Sequence, residues 1–428
     1  MATGTLFIVF IVLMVLGTPL AVTFAMSAAL PITIFGDAQV ITMIQRFFSS
    51  ADSFSLLAAP FFIMSGGFLD KGGVSKRLVD LANSLVGWLP GGLGVVVFLS
   101  CAFFGAISGS AIATVVTIGA ILVPAMIREG YPRGLAVGTV ACGGWLGIIV
   151  PPSVPMILYG NAVNANVGDL FMGGFIPGFI LAAFMSIVCI MWGIKHRNTI
   201  VRHPFKISNV WKTLKDAFWA LLMPIIILGG IYSGIFTPTE AGAVSIVYGL
   251  IAGFLIYKEL KPSDLLTIVR DAIKTTSTLL FVIAGATFLG YVMTIYQIPQ
   301  ICAEFIVSIA HTRFQFWVLI TVFLLFVGCI MDTAPAILIL SPIIASVLPN
   351  YDIPLVQFGI VMIVNLGIGL CTPPVGMNLY VASNSMKVPV KEVLNRQYWL
   401  YLFAALVGLV LLMAFPDIIM FLPKLFAK

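Results

Sequence analysis

The chain has 428 residues, of which 61% are hydrophobic and only 9% are charged, and its formal net charge at pH 7 is +6. Soluble domains carry about 25% charged residues, so this composition excludes a soluble globular protein and predicts an all-α polytopic membrane protein. A transmembrane barrel is also excluded, because the apolar runs are continuous and much longer than about ten alternating residues.

The charged residues are unevenly distributed along the chain. The first of them is Asp37, so residues 1–36 lack a basic n-region and predict a retained first helix rather than a cleaved signal peptide. The positive-inside rule places one basic connection in the cytoplasm, although a solvated loop on either side is the alternative. The basic residues of this connection are Lys195, Arg197, Arg202, Lys206, Lys212 and Lys215.

Three landmarks recur in the same order in the two halves of the chain, roughly 1–195 and 216–428. Each half has a Thr-Pro that opens an apolar run, a small polar interruption of a later apolar run, and a Pro-Pro pair. The spacing from the first landmark to the Pro-Pro pair is 132 positions in one half and 135 in the other. Such agreement predicts an internal repeat. The landmarks are Thr18-Pro19, Ser108-Gly109-Ser110 and Pro151-Pro152, matched by Thr237-Pro238, Asp332 and Pro373-Pro374.

Each half is predicted to begin with the same elements. An apolar segment comes first, and only in the second half does it leave room for one more crossing. A polar amphipathic stretch then lies in the membrane interface, and an apolar helix and a short connection follow. The predicted ranges are 5–35, 37–52, 53–70 and 74–89, matched by 216–257, 259–275, 277–297 and 298–311.

The next part of each half is predicted to be a hairpin followed by a broken helix. The first hairpin has two arms of about fifteen residues, each about 22 Å long, which is short of the roughly 30 Å hydrocarbon core. Pro-Pro then interrupts the following helix, since it removes two donors and clashes with the preceding turn. The hairpins are 92–127 and 316–349, the broken helices 132–160 and 355–385, and the closing helices 170–194 and 397–422.

Asp332 is the one carboxylate deep in an apolar hairpin. A charge at mid-membrane costs at least about 2.5–3.5 kcal/mol on insertion scales, so we expect Asp332 to face a cation or a water-filled site. Asp is also a good N-cap, and a cap for the helix starting near Thr333 is the simpler explanation. Glu240 is interpreted as a first-turn acid favoured by the helix dipole.

Small polar residues mark the other interruptions. Ser108 and Ser110 lie where a helix N-terminus offers unpaired N–H groups to a carboxylate, or they simply ease a tight turn. Ser153 and Thr372 flank the Pro-Pro breaks, whose released carbonyls are natural cation ligands in transporters. A plain proline kink is the alternative.

These motifs resemble the large membrane subunit of tripartite ATP-independent periplasmic (TRAP) transporters, and most closely its sialic-acid branch. The resemblance covers the chain from end to end. The motifs that carry it are Ser108-Gly109-Ser110, Val150-Pro151-Pro152-Ser153, Phe236-Thr237-Pro238-Thr239-Glu240, Met331-Asp332 and Thr372-Pro373-Pro374-Val375-Gly376-Met377.

The resemblance implies an elevator fold like that of ion transporters, with inverted repeats, in the bacterial inner membrane. Whether the repeats are inverted depends on an odd number of crossings between equivalent points, so inversion is an expectation. Scaffold elements would hold a mobile transport domain of two hairpins and two broken helices. The implied segments are scaffold 1–91, transport 92–160, closing helix and connection 161–215, scaffold 216–315, transport 316–385 and C-terminal arm with closing helix 386–428.

The resemblance also implies Na⁺-coupled uptake of an organic acid, two Na⁺ sites and two partners. The partners are a small four-helix membrane subunit and a periplasmic substrate-binding protein. Because residue 1 already begins the large-subunit pattern, we expect the small subunit to be a separate chain. By position, one Na⁺ site would use Ser108, Gly147, Ile149 and Pro152, the second Gly328, Asp332, Gly369 and Thr372, and the substrate would lie near Ser108, Ser110, Ser153 and Asp332.

Three other functions were weighed against this one. A channel predicts polar stripes on several helices, and the sequence has none. A membrane-embedded enzyme predicts a nucleophile, base or metal cluster, and the three histidines and scattered carboxylates do not form one. The closest rival is a sodium–carboxylate symporter or antiporter that works without a binding protein.

Overall fold

The computed structural model describes residues 2–35, 40–49, 53–196 and 204–426. These residues form α-helices joined by short turns and 3₁₀ segments. The described residues do not include Asp37, Arg197 or Arg202. Asp37 belongs to the prediction of a retained first helix, and the two arginines belong to the predicted cytoplasmic connection. The first half contains α1 (Ala2–Val15), α2 (Leu20–Phe35), α3 (Val40–Ser49), α4 (Ala58–Lys71), α5 (Val74–Val86), α6 (Gly92–Ser108), α7 (Ala111–Arg128), α8 (Arg133–Gly144), α9 (Val154–Val163) and α10 (Val167–Lys195).

The second half contains eleven helices among its described residues. Its helices are α11 (Ile207–Tyr232), α12 (Pro238–Ile251, continued by a π-helical segment Ala252–Ile256), α13 (Pro262–Ile295), α14 (Ile298–Ile309), α15 (Arg313–Ile330), α16 (Thr333–Ala345), α17 (Leu355–Gly369), α18 (Met377–Met386), α19 (Val390–Val393), α20 (Arg396–Ala414) and α21 (Pro416–Phe426).

The predicted segment 5–35 contains two helices, α1 and α2, because Gly17 adopts a positive φ of 72° and Pro19 follows it. Neither is among the described helices long and apolar enough to cross a membrane, whereas α11 and α12 are, so the additional crossing expected in the second half stays a prediction. Two other predicted elements were wrong. The stretch 259–275 and the helix 277–297 form one continuous helix, α13. The closing helix 397–422 ends at Ala414, and α21 begins at Pro416.

The hairpins and broken helices lie where they were predicted. Helix α6 ends at Ser108 and α7 begins at Ala111, while α15 ends at Ile330 and α16 begins at Thr333. Both α7 and α15 have 18 residues, and both are among seven helices of the described chain that are long and apolar enough to cross a membrane. The re-entrant path of the hairpins therefore stays a prediction.

The centre of the molecule is formed by the elements on either side of the two breaks. Eleven of the 12 residues of α8 are buried, and 13 of the 15 residues of α17, whereas α15 has only six buried residues. Helix α9 packs against α16, and α18 packs against α7 and α8. In each broken helix, the part that follows the break, α9 or α18, therefore contacts the hairpin of the opposite half.

Candidate functional site

The tip of the first hairpin is a short turn between two capped helix ends. Gly109 has a φ of +59°, which places it in the left-handed region where glycine carries no steric penalty. Ser110 caps α7 by accepting a hydrogen bond from the Ala113 N–H at 3.4 Å. The Ser108 Oγ lies 3.3 Å from the Thr114 Oγ1, which itself donates to the Ser110 carbonyl at 2.7 Å. The tip is therefore a compact group of hydroxyls and one carbonyl.

This tip rests directly on the first break. A methyl group added at Gly147 would lie 2.2 Å from the Thr114 Oγ1 and 2.9 Å from the Ser110 carbonyl oxygen. A methyl group added at Gly109 would lie 2.8 Å from the Pro152 carbonyl oxygen. The two glycines allow this approach because they have no side chain. The structure thus brings Gly147 and Pro152 to the tip that carries the two predicted serines.

The first break contains four backbone carbonyls that accept no hydrogen bond from any described residue. They belong to Ile149, Val150, Pro151 and Pro152, and all four residues are buried. Buried carbonyls without donors are uncommon in folded proteins, so this group is suited to a cation. The Ile149 carbonyl oxygen lies 2.5 Å from the position that a methyl group at Gly174 of α10 would take.

Ser153 is fully buried, and its hydroxyl already has protein partners. It donates to the Ile148 carbonyl at 2.6 Å and accepts from the Met156 N–H at 3.4 Å, as the N-cap of α9. In this structure the Ser153 hydroxyl therefore holds the two sides of the break together, and the substrate contact expected of it stays a prediction.

The second hairpin rests on the second break in a similar way. A methyl group added at Gly369 would lie 2.6 Å from the Gly328 Cα, so the two helices α15 and α17 approach backbone to backbone. The Gly376 N–H donates to the Cys329 carbonyl at 3.1 Å. The Thr372 hydroxyl donates to the Ile368 carbonyl at 2.9 Å.

Asp332 is the N-cap of α16 and is partly exposed. Its Oδ1 accepts hydrogen bonds from the Thr333 N–H at 2.7 Å and from the Thr333 hydroxyl at 3.4 Å. The capping role given as the simpler explanation is confirmed. No ion pair to Asp332 is found among the described residues, so its charge is compensated only by the helix N-terminus and these hydrogen bonds.

Four helix N-termini meet in one region, those of α7, α9, α16 and α18. A methyl group at Gly109 would lie 3.4 Å from the Val154 N, which places the tip before α7 against the start of α9. The bond between Gly376 and Cys329 joins the start of α18 to the last turn of α15, which leads into α16. Gly144 of α8 links these two groups of helices, because an added methyl group there would lie near the Ala111 carbonyl of α7 and the Asn378 amide of α18. Helix N-termini carry partial positive charge, so the region favours an anion.

The two breaks differ in their exposure. The residues of the first break are all buried, whereas Pro374 and Val375 of the second are exposed and Thr372 is partly exposed. Nothing in the sequence indicated this difference. The enclosed break is the one paired with uncharged serines, and the open break is the one paired with Asp332.

Two polar residues of the site were missed by the sequence analysis. Asn378, in the first turn of α18, is fully buried, and neither of its amide atoms has a hydrogen-bond partner in the described chain. Thr114 is fully buried and connects the tip to the first break. The signal for Asn378 was its position directly after the second Pro-Pro motif. Thr114 gave no local signal, because its role depends on Gly147 from another element.

Comparison with solved structures identifies the fold first. The fold is similar to the YdaH transporter of Alcanivorax borkumensis, with a TM-score of 0.58 and 14% identity over 87% of both chains. It is also similar to MtrF of Neisseria gonorrhoeae, with a TM-score of 0.59 and 14% identity over 86% of this chain and 83% of the other. With seven long apolar helices among its described residues, the chain shares the multi-pass membrane fold of these two proteins.

The family follows from the sequence comparisons. Residues 7–418 match the family "Tripartite ATP-independent periplasmic transporter, DctM component". The C4-dicarboxylate TRAP transporter large permease protein DctM of Rhodobacter capsulatus is 34% identical, with 99% of each chain covered. The 2,3-diketo-L-gulonate TRAP transporter large permease protein YiaN of Escherichia coli is 37% identical, with 88% of each covered. The chain belongs to this family, as the resemblance predicted, and is a permease subunit of the bacterial inner membrane rather than an enzyme.

A third relative is longer than this chain. The isethionate TRAP transporter permease protein DctMQ of Oleidesulfovibrio alaskensis is 38% identical over 90% of this chain but only 61% of its own length.

Proposed function

We propose that this permease imports an organic acid together with Na⁺, and that both bind where the hairpin tips meet the two breaks. The observation that carries the proposal is the convergence of four helix N-termini beside buried carbonyls that accept no hydrogen bond within the described chain. The N-termini favour the acid group of a substrate, and the carbonyls favour a hard cation that prefers oxygen ligands. One region therefore offers complementary places for the two transported species.

The first Na⁺ site would use the tip and break of the first half. Gly147 and Pro152 lie against this tip, and the hydroxyl of Ser108 and the carbonyl of Ile149 are the further ligands proposed. The second Na⁺ site would use the corresponding residues Gly328, Asp332, Gly369 and Thr372. The close contact between Gly328 and Gly369 supports this second assignment.

The substrate would lie near Ser108, Ser110, Ser153 and Asp332. An anionic substrate beside Asp332 requires a bound cation to offset the repulsion between the two negative charges. This requirement couples the two transported species, since the substrate binds well only after Na⁺. Inward movement of net positive charge contributes about 2.3 kcal/mol per charge at 100 mV.

The substrate class follows from chemistry shared among the relatives. Their names refer to C4-dicarboxylates, 2,3-diketo-L-gulonate and isethionate, which all carry an acid group. Sialic acid, expected from the resemblance, also carries a carboxylate and stays the first prediction. A binding assay on the periplasmic partner with these four compounds would decide between them.

Family membership also supports the proposed partners and movement. A small four-helix membrane subunit would bind the scaffold, and a periplasmic binding protein would deliver the substrate. Helix α9 of the first half packs against α16 of the second, and α18 of the second half packs against α7 of the first. These equivalent contacts support two inverted repeats. The hairpins and broken helices would then slide as one transport domain against the scaffold.

The test of the proposal is Asp332→Asn in proteoliposomes that contain both partner proteins. We expect Na⁺-driven uptake to fall at least tenfold, because the neutral side chain no longer attracts the cation while it can still cap α16. Asp352→Asn is the matched control, since Asp352 is exposed in a turn with a φ of +52°, a conformation that Asn tolerates. Unchanged uptake and Na⁺ dependence in Asp332→Asn would refute the role of Asp332.

The alternative function, a sodium–carboxylate symporter or antiporter that works without a binding protein, can be tested separately. Liposomes that contain the permease and the small subunit, but no binding protein, should show no Na⁺-driven uptake. Uptake at the full rate in such liposomes would favour the binding-protein-independent symporter.

A further inference from the structure

A cavity lies where α10 ends and where α8 and α20 begin, away from the hairpin tips. Its volume is about 560 Å³. Three basic side chains line it, those of Arg133, Lys195 and Arg396, together with one acidic side chain, Glu392. With histidine neutral, the lining side chains therefore carry an excess of positive charge.

The backbone that holds these basic residues is firmly packed. The Gln397 amide donates to the Val188 carbonyl at 3.1 Å and joins the start of α20 to α10. Asn395 caps α20 by accepting from the N–H groups of Gln397 and Tyr398 at 2.9 and 3.0 Å. A methyl group added at Gly134 would lie 2.1 Å from the Glu392 carbonyl oxygen, so α8 and α19 touch at the backbone. The separation of the basic residues is thus fixed before any ligand binds.

Aromatic and apolar side chains form the rest of the wall. Trp192 stacks between Tyr131 and His196, with ring centroids 5.2 and 4.4 Å apart. Met191 and Leu400 line the same cavity and are 59% and 39% exposed. The cavity therefore has a charged side and an apolar side, and tryptophan is enriched at membrane–water interfaces, which favours a position beside the lipid headgroups.

We propose that this cavity binds the headgroup of an anionic phospholipid from the cytoplasmic leaflet. The phosphodiester would lie between Arg133, Lys195 and Arg396, and an acyl chain would lie along Met191 and Leu400. Basic pockets between transmembrane helices on the cytoplasmic side are suited to anionic headgroups. Lys195 also begins the basic connection that the positive-inside rule places in the cytoplasm, where anionic lipid is available.

The guanidinium groups of Arg133 and Arg396 make a phosphate group a suitable ligand for this cavity. Arginine presents a planar fork of donors that bonds phosphate oxygens in pairs. The apolar wall distinguishes a lipid from free phosphate, because only a lipid has a chain to cover Met191 and Leu400. The chemistry of the cavity therefore favours the lipid as the source of the phosphate.

The experiment titrates the purified 428-residue chain in a neutral detergent with phosphatidylglycerol, phosphatidylethanolamine or sodium phosphate. Bound lipid is counted by native mass spectrometry, and the melting temperature is recorded in parallel. We expect phosphatidylglycerol to bind and raise the melting temperature, with little effect from the other two. The double variant Arg133→Gln/Arg396→Gln should lose about fivefold in phosphatidylglycerol affinity for each arginine removed.

The matched control is Lys212→Gln/Lys215→Gln. It removes the same charge from exposed positions near the start of α11, outside the cavity, and should keep the wild-type affinity. Equal phosphatidylglycerol affinity in wild type and the arginine variant would overturn the proposal. An equal loss in both double variants would also overturn it, since that would show general attraction to the charged end. Stabilisation by sodium phosphate as strong as that by the lipid would show a free-anion site instead.

Discussion

At the residue scale, the absence of a side chain at Gly147 decides whether the first hairpin tip can reach the first break. A Cβ there would lie 2.2 Å from the Thr114 Oγ1 and 2.9 Å from the Ser110 carbonyl oxygen. We expect Gly147→Ala to cost about 1–3 kcal/mol of stability, the usual range for overpacking. We also expect it to reduce Na⁺-dependent uptake, because the tip must move away from the carbonyls.

The control for this variant is Gly290→Ala. Gly290 is also in a helix, α13, but an added methyl group there meets no atom within 4 Å. This variant should be neutral or up to about 1 kcal/mol more stable, since alanine is the better helix former. Thermal unfolding in detergent and uptake in proteoliposomes measure both effects. A Gly147→Ala protein that matches Gly290→Ala in both assays would contradict the tight contact.

Asn378 gives a prediction in which stability and activity move in opposite directions. Its amide is fully buried and has no hydrogen-bond partner in the described chain, and an unsatisfied buried polar group costs about 1–3 kcal/mol. Asn378→Ala should therefore be at least as stable as the wild type in the absence of ligands. If the amide binds a transported species, uptake should fall about tenfold or more.

The control for Asn378→Ala is Asn384→Ala, an exposed position on the same helix α18. It should leave uptake unchanged. Full uptake by Asn378→Ala would show that the buried amide is a structural defect with no part in transport.

The residues of the site differ in how far the sequence could predict them. Ser110, Ser153 and Asp332 were predictable as sites of helix interruption, because a small polar residue before an apolar run is a local cap signal. Local sequence does not predict the contacts between their elements, such as that of Gly147 with Ser110, which join positions more than 30 apart; the expectation of one shared site came from the family resemblance. Thr114 and Asn378 were missed for the same reason.

At the element scale, the breaks were predictable and the continuous helices were not. Pro-Pro stops a helix by local chemistry, whatever packs against it. The polar run 275–278 looked like the end of an interfacial arm, yet α13 continues through it. Helix α13 packs against α2 and α4, and a methyl group at Gly285 would lie 2.7 Å from the Ala21 carbonyl oxygen. This tertiary packing outweighs the weaker local helix preference.

The continuity of α13 can be tested at Thr276. Proline in a helix interior removes a hydrogen bond and clashes with the preceding turn, at a cost of about 3 kcal/mol. Thr276→Pro should therefore lower the free energy of unfolding by about that amount, and Thr276→Ala should change it by less than about 0.5 kcal/mol. Chemical unfolding of both variants in detergent, followed by circular dichroism, gives the comparison. Two separate elements at this position would tolerate proline with little loss.

At the scale of the whole molecule, the proposed sliding movement requires contacts that change between the scaffold and the hairpins. One such contact joins α4 to α7, where the Thr117 hydroxyl lies 3.4 Å from the Asp70 Oδ2. A second contact, the 2.7 Å approach of the Ser84 and Thr213 hydroxyls, joins α5 to the first turns of α11. Helix α5 lies in the proposed scaffold segment 1–91, and most of α11 lies in the proposed scaffold segment 216–315. Both pairs are candidates for disulfide design, because each joins two side chains in direct contact, and a disulfide bridges Cα atoms about 4.4–6.8 Å apart.

The cross-linking prediction therefore compares Asp70→Cys/Thr117→Cys with Ser84→Cys/Thr213→Cys. Oxidation of the first pair should abolish uptake in proteoliposomes, because it fixes the hairpin to the scaffold, and reduction should restore it. Oxidation of the second pair should leave uptake intact, since both helices remain together throughout the cycle. Each single cysteine variant controls for the loss of the original side chain. If the oxidised first pair transports at the reduced rate, α7 does not slide past α4, and movement must occur at another boundary.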